Sequence, residues 1–447
     1  MAYPWQGRVL ISPAHNECTK KGRAMGKVNE LLDEITLPKM IRIKQKFDAD
    51  SLSSIEKAVY NEMMRPEIRA AICPGMRIAV TAGSRGIKHY PEILRSIVNC
   101  LKTLNAIPFI IPAMGSHGGA IAEGQTKLLN GLGITEDSVG APIVSSMDVV
   151  KLGETERGVS VWFSKDAYEA DATILVGRIK PHTAFHGLIE SGVVKMGVIG
   201  CGKQRGAEEF HSLGLENMST NIVEMWQIMM AKSNVAFGIA VLENAYDETF
   251  RIEAMLRENI IQRESKLLLL AKEHFARIMF SEYDVLVVER IGKNISGDGA
   301  DPNITGRFYS PSIPDNPKVQ RLVYLDLTEE SSGNAIGIGV ADFITRRLFD
   351  KVGLESMYMN TVTNCVVQPA KIPLIMDTDE LAIKAGVRTL IHADKNRPRI
   401  IIIKDSLHLE EIEISEALFP EALANPNIEI LSEPRSIEFT STGSMIS

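Results

Sequence analysis

The stretch MRIAVTAGSRG, residues 76–86, joins a short apolar run to a polar turn that contains two glycines. The run has the composition of a buried β-strand. Two later stretches repeat the arrangement: PFIIPA at 108–113 precedes MGSHGG, and ATILVG at 172–177 precedes RIKPH. A helical pattern at 91–105 separates the first strand from the second. Strands that alternate with helices predict an α/β fold with a parallel sheet.

A reactive side chain follows each of these three strands. Arg85, His117 and His182 all lie in the Gly- or Pro-containing turns at the strand ends. Ligands of open α/β sheets bind at the carboxyl ends of the strands, where the connecting loops converge. We therefore expect the three side chains to surround one crevice.

The length of 447 residues predicts more than one domain. We predict two α/β domains with the active site in the cleft between them. Residues 1–272 form an N-terminal domain with the reactive side chains, and residues 273–447 form a C-terminal domain that closes the site. The last about 20–30 residues could return to the first domain. A helical pattern over 248–279 precedes the second domain, and its long polar segment at 290–318 has the character of a functional loop.

Composition excludes several classes of partner. The net charge is −7 and no dense basic cluster is present, so we expect no nucleic acid partner. The longest apolar runs have the length of a strand, and the N-terminal residues 1–17 lack a signal-peptide pattern, so we expect no membrane. The five cysteines form no CxxC pair. Reduced thiols, and therefore a cytoplasmic location, are the prediction.

Three residues have side chains suited to catalysis or to anion binding. Arg85 could hold a carboxylate in a bidentate manner, although a surface arginine in a turn would look the same. His117, flanked by glycine, has the ordinary properties of a general base. Lys195 lies in SGVVKMGVIGCG, where apolar neighbours would lower the pKa of the amine and make it nucleophilic. The alternative for Lys195 is a side chain that reaches solvent from the end of an apolar segment.

Three histidines, His182, His186 and His211, also allow a zinc site of the hydrolase type. His182 and His186 are four residues apart, but Gly187 and the absence of helical spacing argue against a pair on one helix. The HExxH pattern is absent. A zinc-type metallohydrolase is therefore kept as an alternative function.

The combined pattern resembles that of the nickel-pincer-nucleotide-dependent lactate racemase family. That family has a Pro-His pair, a Gly-rich segment with a lysine, and a histidine sixteen residues after the lysine. Pro181-His182, Lys195 and His211 reproduce this order and the spacing of sixteen residues. Upstream, GSRG with Arg85 and GSHGG with His117 correspond to the family's strand-end arginine and first catalytic histidine.

The resemblance implies a cofactor site. Lys195 would hold a nickel-pincer nucleotide, a pyridinium-3,5-bisthiocarboxylic acid mononucleotide, through a thioamide. His211 would complete the nickel site, while Ser84 and Gly118 would contact the nucleotide. The partners that the resemblance implies are a small 2-hydroxy acid substrate and the enzymes that synthesise the cofactor.

The resemblance also implies catalytic roles. His117 and His182 would be paired acid/bases, one for each face of the substrate carbon, and Arg85 would bind the substrate carboxylate. The activity would be that of an isomerase: a racemase or epimerase that moves hydride reversibly through a 2-keto acid. A cofactor-free homologue that only binds a carboxylate is a further alternative.

The sequence departs from the family at the substrate side. His182 and Lys195 are thirteen residues apart where the family usually has ten, so His186 is an additional polar residue of the segment. In the second domain, Thr305 and Gly306 replace the family's tyrosine–glutamine pair, and Arg307 could replace the charge of its lysine. We therefore assign His186 and Arg307 to substrate binding and expect a 2-hydroxy acid other than lactate.

Overall fold

The computed structural model describes residues 26–446 apart from 213, 311, 312 and 365. The N-terminal segment, Cys18 and Cys365 lie outside the described residues, so the predictions made for them stay predictions. Among the described residues, Cys73, Cys100 and Cys201 are free thiols. No described helix combines the length and the apolar character needed to cross a membrane.

The strands of the described residues are, in chain order, β1 Met40–Gln45, β2 Arg77–Ala82, β3 Ile107–Pro112, β4 Val149–Glu154, β5 Ser160–Ser164, β6 Ala172–Arg178, β7 Val235–Glu243, β8 Thr249–Leu256, β9 Glu282–Val288, β10 Lys318–Tyr324, β11 Phe343–Thr345, β12 Leu374–Met376, β13 Ile400–Ile403, β14 Glu411–Ser415 and β15 Ile428–Ile430.

The α-helices are α1 Gly26–Asp33, α2 Ile55–Met63, α3 Pro66–Arg69, α4 Tyr90–Thr103, α5 Ala122–Gly131, α6 Glu136–Val139, α7 Lys165–Tyr168, α8 Val193–Lys195, α9 Lys203–Ser212, α10 Met218–Lys232, α11 Ile260–Glu273, α12 Pro302–Thr305, α13 Arg346–Asp350, α14 Leu354–Asn364, α15 Asp379–Arg388 and α16 Phe419–Ala424.

The strands form two large sheets and one hairpin. The first sheet has the order β3-β2-β6-β7-β8 and is parallel except for the β7–β8 pair. The second has the order β12-β11-β10-β9-β13-β14-β1-β15. Its strands β9 to β13 are parallel to one another, and the pairs β13–β14, β14–β1 and β1–β15 are antiparallel. Strands β4 and β5 form the hairpin. We call residues 50–273 the first lobe, and residues 26–46 together with 276–446 the second lobe.

Each large sheet is covered by apolar side chains on both faces. In β6, Ile174 and Val176 belong to one buried cluster and Leu175 to another, as the alternation of a strand requires. In β9, Leu286 likewise separates from Val285 and Val287. Sheets buried on both faces are typical of α/β folds. The predicted α/β fold class is confirmed.

The helical pattern predicted over 248–279 is wrong in its first part. Residues Thr249–Leu256 form β8, which pairs antiparallel with β7 and so extends the first sheet. The helix α11 begins only at Ile260. Ile252 and Ala254 pack into one cluster while Met255 packs into the other, so pairing with a neighbouring strand outweighs the local helical pattern.

The division of the chain between the two sheets differs from a simple split near residue 272. Strand β1 lies between β14 and β15 of the second sheet, although it precedes the whole of the first lobe in the chain. The C-terminal residues also stay with the second lobe, because Arg435 bridges to Met40 and Phe439 packs against that lobe's core. As a domain boundary, 272/273 stays a prediction.

Candidate active site

The carboxyl ends of three neighbouring strands carry the reactive side chains of the first lobe. Because the sheet order is β3-β2-β6, Arg85 follows the central strand, and His117 and His182 follow the strands on either side. The crevice expected from the sequence is therefore present. Arg85 lies between the positions of the two histidines along the sheet edge.

Two adjoining cavities open at this edge. The smaller, of about 280 Å³, is lined by Ser84, Arg85, His117, Lys195 and His211, among others. The larger, of about 620 Å³, shares Ser84, Arg85 and Lys195 with the smaller one. We call the two together the cleft.

The larger cavity receives residues from both lobes. From the first lobe it is lined by Lys180 and His182, and from the second lobe by residues 293–297 and Leu407. The cleft thus lies between the lobes, as a site closed by a second domain requires.

His117 is held by its own loop and by a buried amide. Its Nδ1 lies 2.5 Å from Ser84 Oγ. Gln125 Nε2 donates to the Gly115 carbonyl at 2.9 Å and to that of His117 at 3.3 Å. The ring is open to the solvent of the cleft, but burial within the cleft walls, with the charges of Arg85 and Lys195, lowers the pKa of His117 to about 4. At neutral pH the imidazole can accept a proton.

His182 is fixed through both its backbone and its ring. Its backbone N–H donates to Glu190 Oε2 at 2.8 Å. The Ala184 backbone N–H donates to His182 Nδ1 at 3.0 Å, so the neutral ring carries its proton on Nε2. Phe185 lies against the ring with centroids 4.2 Å apart. Burial, followed by the charges of Lys195 and Lys180, holds the pKa of His182 well below its ordinary value.

Lys195 ends the short helix α8, which is packed closely into the first lobe. A side chain at Gly192 would bring its Cβ within 2.3 Å of Glu264 Oε1, so this turn requires glycine. Glu264 accepts a hydrogen bond from the Val194 backbone N–H at 3.0 Å, and burial raises the pKa of its carboxyl to about 8. Burial, then the charges of Arg85 and Lys180, lowers the pKa of Lys195 to about 7. A large fraction of the amine is uncharged and nucleophilic at neutral pH.

His211, on α9, lines the same cavity as Lys195. Its Nδ1 lies 2.6 Å from the Ala207 carbonyl oxygen. Since a carbonyl only accepts, Nδ1 carries the proton and the lone pair of Nε2 is available to a metal. Burial lowers the pKa of His211, which favours the neutral, ligating form.

Residues 27–222 match the family model described as the lactate racemase N-terminal domain. Over these residues the chain is similar to the N-terminal domain of lactate racemases. The family resemblance found in the sequence is confirmed there, and it supports a racemase-type activity. No curated protein matches the chain.

Among solved structures, the chain is similar to the lactate racemase apoprotein from Thermoanaerobacterium thermosaccharolyticum. The identity is 14%, the TM-score is 0.42, and the match covers 83% of this chain and 89% of that chain.

Three residues that the sequence analysis assigned to the site, Gly118, Arg307 and His186, do not line the cleft. Gly118, at φ +70°, packs against the start of α5, where a Cβ would come within 2.6 Å of the Gly124 carbonyl carbon. Arg307 donates to the Gln320 carbonyl at 2.6 Å and pairs with Asp342 at 3.0 Å. His186 Nε2 lies 2.9 Å from Asn303 Oδ1.

The histidines do not form a metal-binding group of their own. Within the described ranges, no three His, Cys, Asp or Glu side chains are grouped so that they could hold a metal ion. His186 is instead directed to Asn303 of the second lobe. The zinc-hydrolase alternative, which needs His182, His186 and His211 together, therefore gains no support.

Sequence reasoning missed charged residues in and beside the cleft. Lys180 and Lys293 line the larger cavity, and burial lowers the pKa of each amine. Asp298 is the neighbouring acid: burial raises the pKa of its carboxyl, and Lys293 acts in the opposite direction. Lys180 directly precedes Pro181, and the other two lie in the polar segment 290–318. The sequence could have indicated them by position, because Lys180 adjoins the Pro181-His182 pair and the other two lie in a long polar loop.

Proposed function

We propose that the protein is a racemase or epimerase of a 2-hydroxy acid that uses a nickel-pincer nucleotide tethered to Lys195. The proposal rests on the order in which the three strand ends lie along the sheet edge. Arg85 lies between His117 and His182 along the sheet edge, and Lys195 and His211 line the adjoining cavity. A carboxylate site flanked by two histidines suits a reaction that must reach both faces of one carbon.

The residues of the smaller cavity fit the cofactor. The Lys195 amine, with its pKa lowered to about 7, suits a covalent attachment, and His211 offers the lone pair of Nε2 as a nickel ligand. Ser84 lines the same cavity. When bound, the group supplies an electrophilic carbon that takes up and returns a hydride.

Arg85 would bind the substrate carboxylate. Its guanidinium presents a rigid set of donors, and the cleft walls partly shield it from water, which strengthens its attraction for an anion. Lys180 and Lys293 add positive charge from the two lobes. Arg307 is already paired with Asp342, so Lys293 is the second-lobe cation that would contact the substrate.

His117 and His182 would move the hydroxyl proton. As the C–H bond loses hydride, one neutral imidazole accepts the hydroxyl proton and the substrate becomes a 2-keto acid. His182 would accept it on Nδ1, in place of the Ala184 N–H. That proton then passes to the other imidazole, and from there to the carbonyl oxygen when hydride comes back to the opposite face. Between them the two rings hold one proton during the cycle. Their lowered pKa values keep a neutral base available before substrate binds.

The cofactor would come from dedicated synthesis enzymes, which are the proposed protein partners, and the reaction would take place in the cytoplasm. The substrate would be a 2-hydroxy acid other than lactate, since the second-lobe residues Thr305 and Gly306 depart from the lactate racemase pattern.

The deciding experiment is racemisation by protein co-expressed with those enzymes. We would incubate it with single enantiomers of lactate, 2-hydroxybutyrate and malate, and with D-gluconate, and follow the loss of stereochemical purity. Lys195→Met is the matched control. Conversion by the parent alone supports the proposal. Binding without conversion of any acid would contradict it and favour a carboxylate-binding protein.

A further inference from the structure

The backbone of His182 is held from both lobes at once. On the first-lobe side, its N–H donates to Glu190 Oε2 at 2.8 Å, and Glu190 is itself paired with Lys272 of α11 at 2.6 Å. On the second-lobe side, its carbonyl accepts from Asn303 Nδ2 at 3.2 Å. Glu190 is fully buried and also accepts from the Gly187 N–H at 3.2 Å. One peptide segment, 182–187, therefore bridges the lobes.

The orientation of the Asn303 amide follows from its neighbours. Its Nδ2 lies near two oxygens that only accept, the His182 carbonyl at 3.2 Å and Asp301 Oδ1 at 2.9 Å. Its Oδ1 must then be the atom that faces His186 Nε2 at 2.9 Å. His186 consequently carries a proton on Nε2 and donates it to Asn303. The Phe308 ring packs edge-on against His186, with centroids 5.1 Å apart.

Further contacts of this segment and of the preceding Lys180 also cross between the lobes. Lys180 Nζ lies 3.9 Å from Asp301 Oδ2, and the Thr183 side chain forms a hydrogen bond with Asp298. The Asp301 side chain accepts from the Asn303 backbone N–H at 3.0 Å and so caps α12. Asn303 is thereby fixed in the second lobe, while His186 and His182 belong to the first.

We propose that His186 and Asn303 form an interlobe latch that positions His182. When the lobes are in contact, His186 orients the Asn303 amide, and the amide holds the His182 carbonyl. When they part, the segment 182–187 keeps only its bonds to Glu190 and to its own residues. Both latch residues are positioning residues, since neither lines the cleft. The catalytic consequence rests on the function proposed above, whereas the structural consequence does not.

Hydrogen–deuterium exchange of the full-length protein tests the latch directly. We would compare the parent with Asn303→Ala, His186→Phe and His186→Gln. Phenylalanine keeps a ring against Phe308 but cannot donate, whereas glutamine restores a donor. The loss of one hydrogen bond corresponds to roughly 3–10-fold faster exchange. We expect that increase at residues 182–187 in Asn303→Ala and His186→Phe, and near-parent exchange in His186→Gln.

The buried strand β6 provides the internal reference. Unchanged exchange at Ala172–Arg178 in the same samples shows that the lobe remains folded. Parent-like exchange of 182–187 in both Asn303→Ala and His186→Phe would overturn the latch. So would equal exchange in His186→Gln and His186→Phe, because the donor would then be irrelevant.

Kinetics separate the latch from the proposed activity. With the acid that the parent converts fastest, we expect kcat to fall about 10-fold in Asn303→Ala and His186→Phe, with KM changed less than threefold and kcat recovered in His186→Gln. A pure rise in KM would contradict a positioning role. If the cofactor-loaded parent converts no acid, the proposed function fails, and the exchange result still decides whether the latch exists.

Discussion

The two sides of the cleft differ in how they present their reactive groups. The first lobe presents Arg85, His117 and His182 from the ends of three adjacent parallel strands, a rigid arrangement set by the sheet. The second lobe contributes Lys293 from the irregular part of the segment between β9 and β10, with Asn303 of α12 behind the cleft wall. The rigid side carries the proposed chemistry, and the irregular side adds charge and closure. Substitutions on the two sides should therefore have different kinetic effects.

The largest effects should come from the first-lobe histidines. We expect His117→Asn and His182→Asn each to lower kcat by about 10²–10⁴-fold, because an amide cannot accept the hydroxyl proton. The control is His392→Asn, an exposed histidine outside the cleft, which should have parent-like rates. The measurement is the rate of racemisation of the acid that the parent converts fastest. Rates within threefold of the parent in either cleft variant would remove that histidine from the mechanism.

A second-lobe cation should affect binding more than turnover. In Lys293→Met we expect KM to rise roughly 10-fold with a smaller change in kcat, because one desolvated charge near an anionic substrate is lost. Lys88→Met is the matched control, since Lys88 lies in the same cavity but is exposed and paired with Glu248. Steady-state kinetics of both variants decide the point. A fall in kcat alone would place Lys293 with the chemical step and erase the difference between the two sides.

The pKa values of the cleft histidines should reflect their burial and the positive charges beside them. NMR of labelled imidazole should find His117 neutral well below pH 6.5, and Arg85→Met should raise its pKa, because a neighbouring cation disfavours the imidazolium. The unfolded chain takes up these protons near pH 6.5, while folded His117 and His182 do not. Stability should therefore fall as the pH drops from about 6.5 towards 4, with no contribution above that window. An unchanged His117 pKa in Arg85→Met would show that the two groups do not interact.

The smallest kinetic effect is expected at Arg307. Its bonds to Asp342 and to the β10 carbonyls lie outside the cleft, so Arg307→Met should keep kcat and KM within twofold of the parent values. Loss of this partly buried pair should lower the free energy of unfolding by about 1–3 kcal/mol. Arg42→Met, which removes an exposed pair with Glu411, should cost about 0–1 kcal/mol. Denaturant unfolding of both variants is the test, and a tenfold rise in the KM of Arg307→Met would return Arg307 to the substrate site.

Local sequence patterns predict the first-lobe side of the cleft, but they do not predict contacts between distant parts of the chain. The strand ends with Arg85, His117 and His182 are visible because each combines an apolar run with a polar turn inside a few residues. Lys195 and His211 are recognised by their spacing. The pairing of β1 with β14 and β15 is not visible, since it joins residues that are far apart in the chain.

Long-range contacts also explain the residues that sequence reasoning placed differently. His186 and Arg307 have the side chains of binding residues, but their partners Asn303 and Asp342 lie 117 and 35 positions away in the chain. No local pattern shows that these side chains are already occupied. The prediction of a helix at β8 was wrong for the same reason. The apolar spacing of these residues also suits a helix, and only the pairing with β7 makes them a strand.

The mass of the intact protein decides whether Lys195 holds a nucleotide. The parent and Lys195→Met would each be co-expressed with the cofactor-synthesis enzymes and analysed by mass spectrometry and nickel determination. We expect a covalent adduct of nucleotide mass on the parent with about one nickel per chain, and neither in Lys195→Met. An adduct of equal amount in both proteins, or none in the parent, would contradict it.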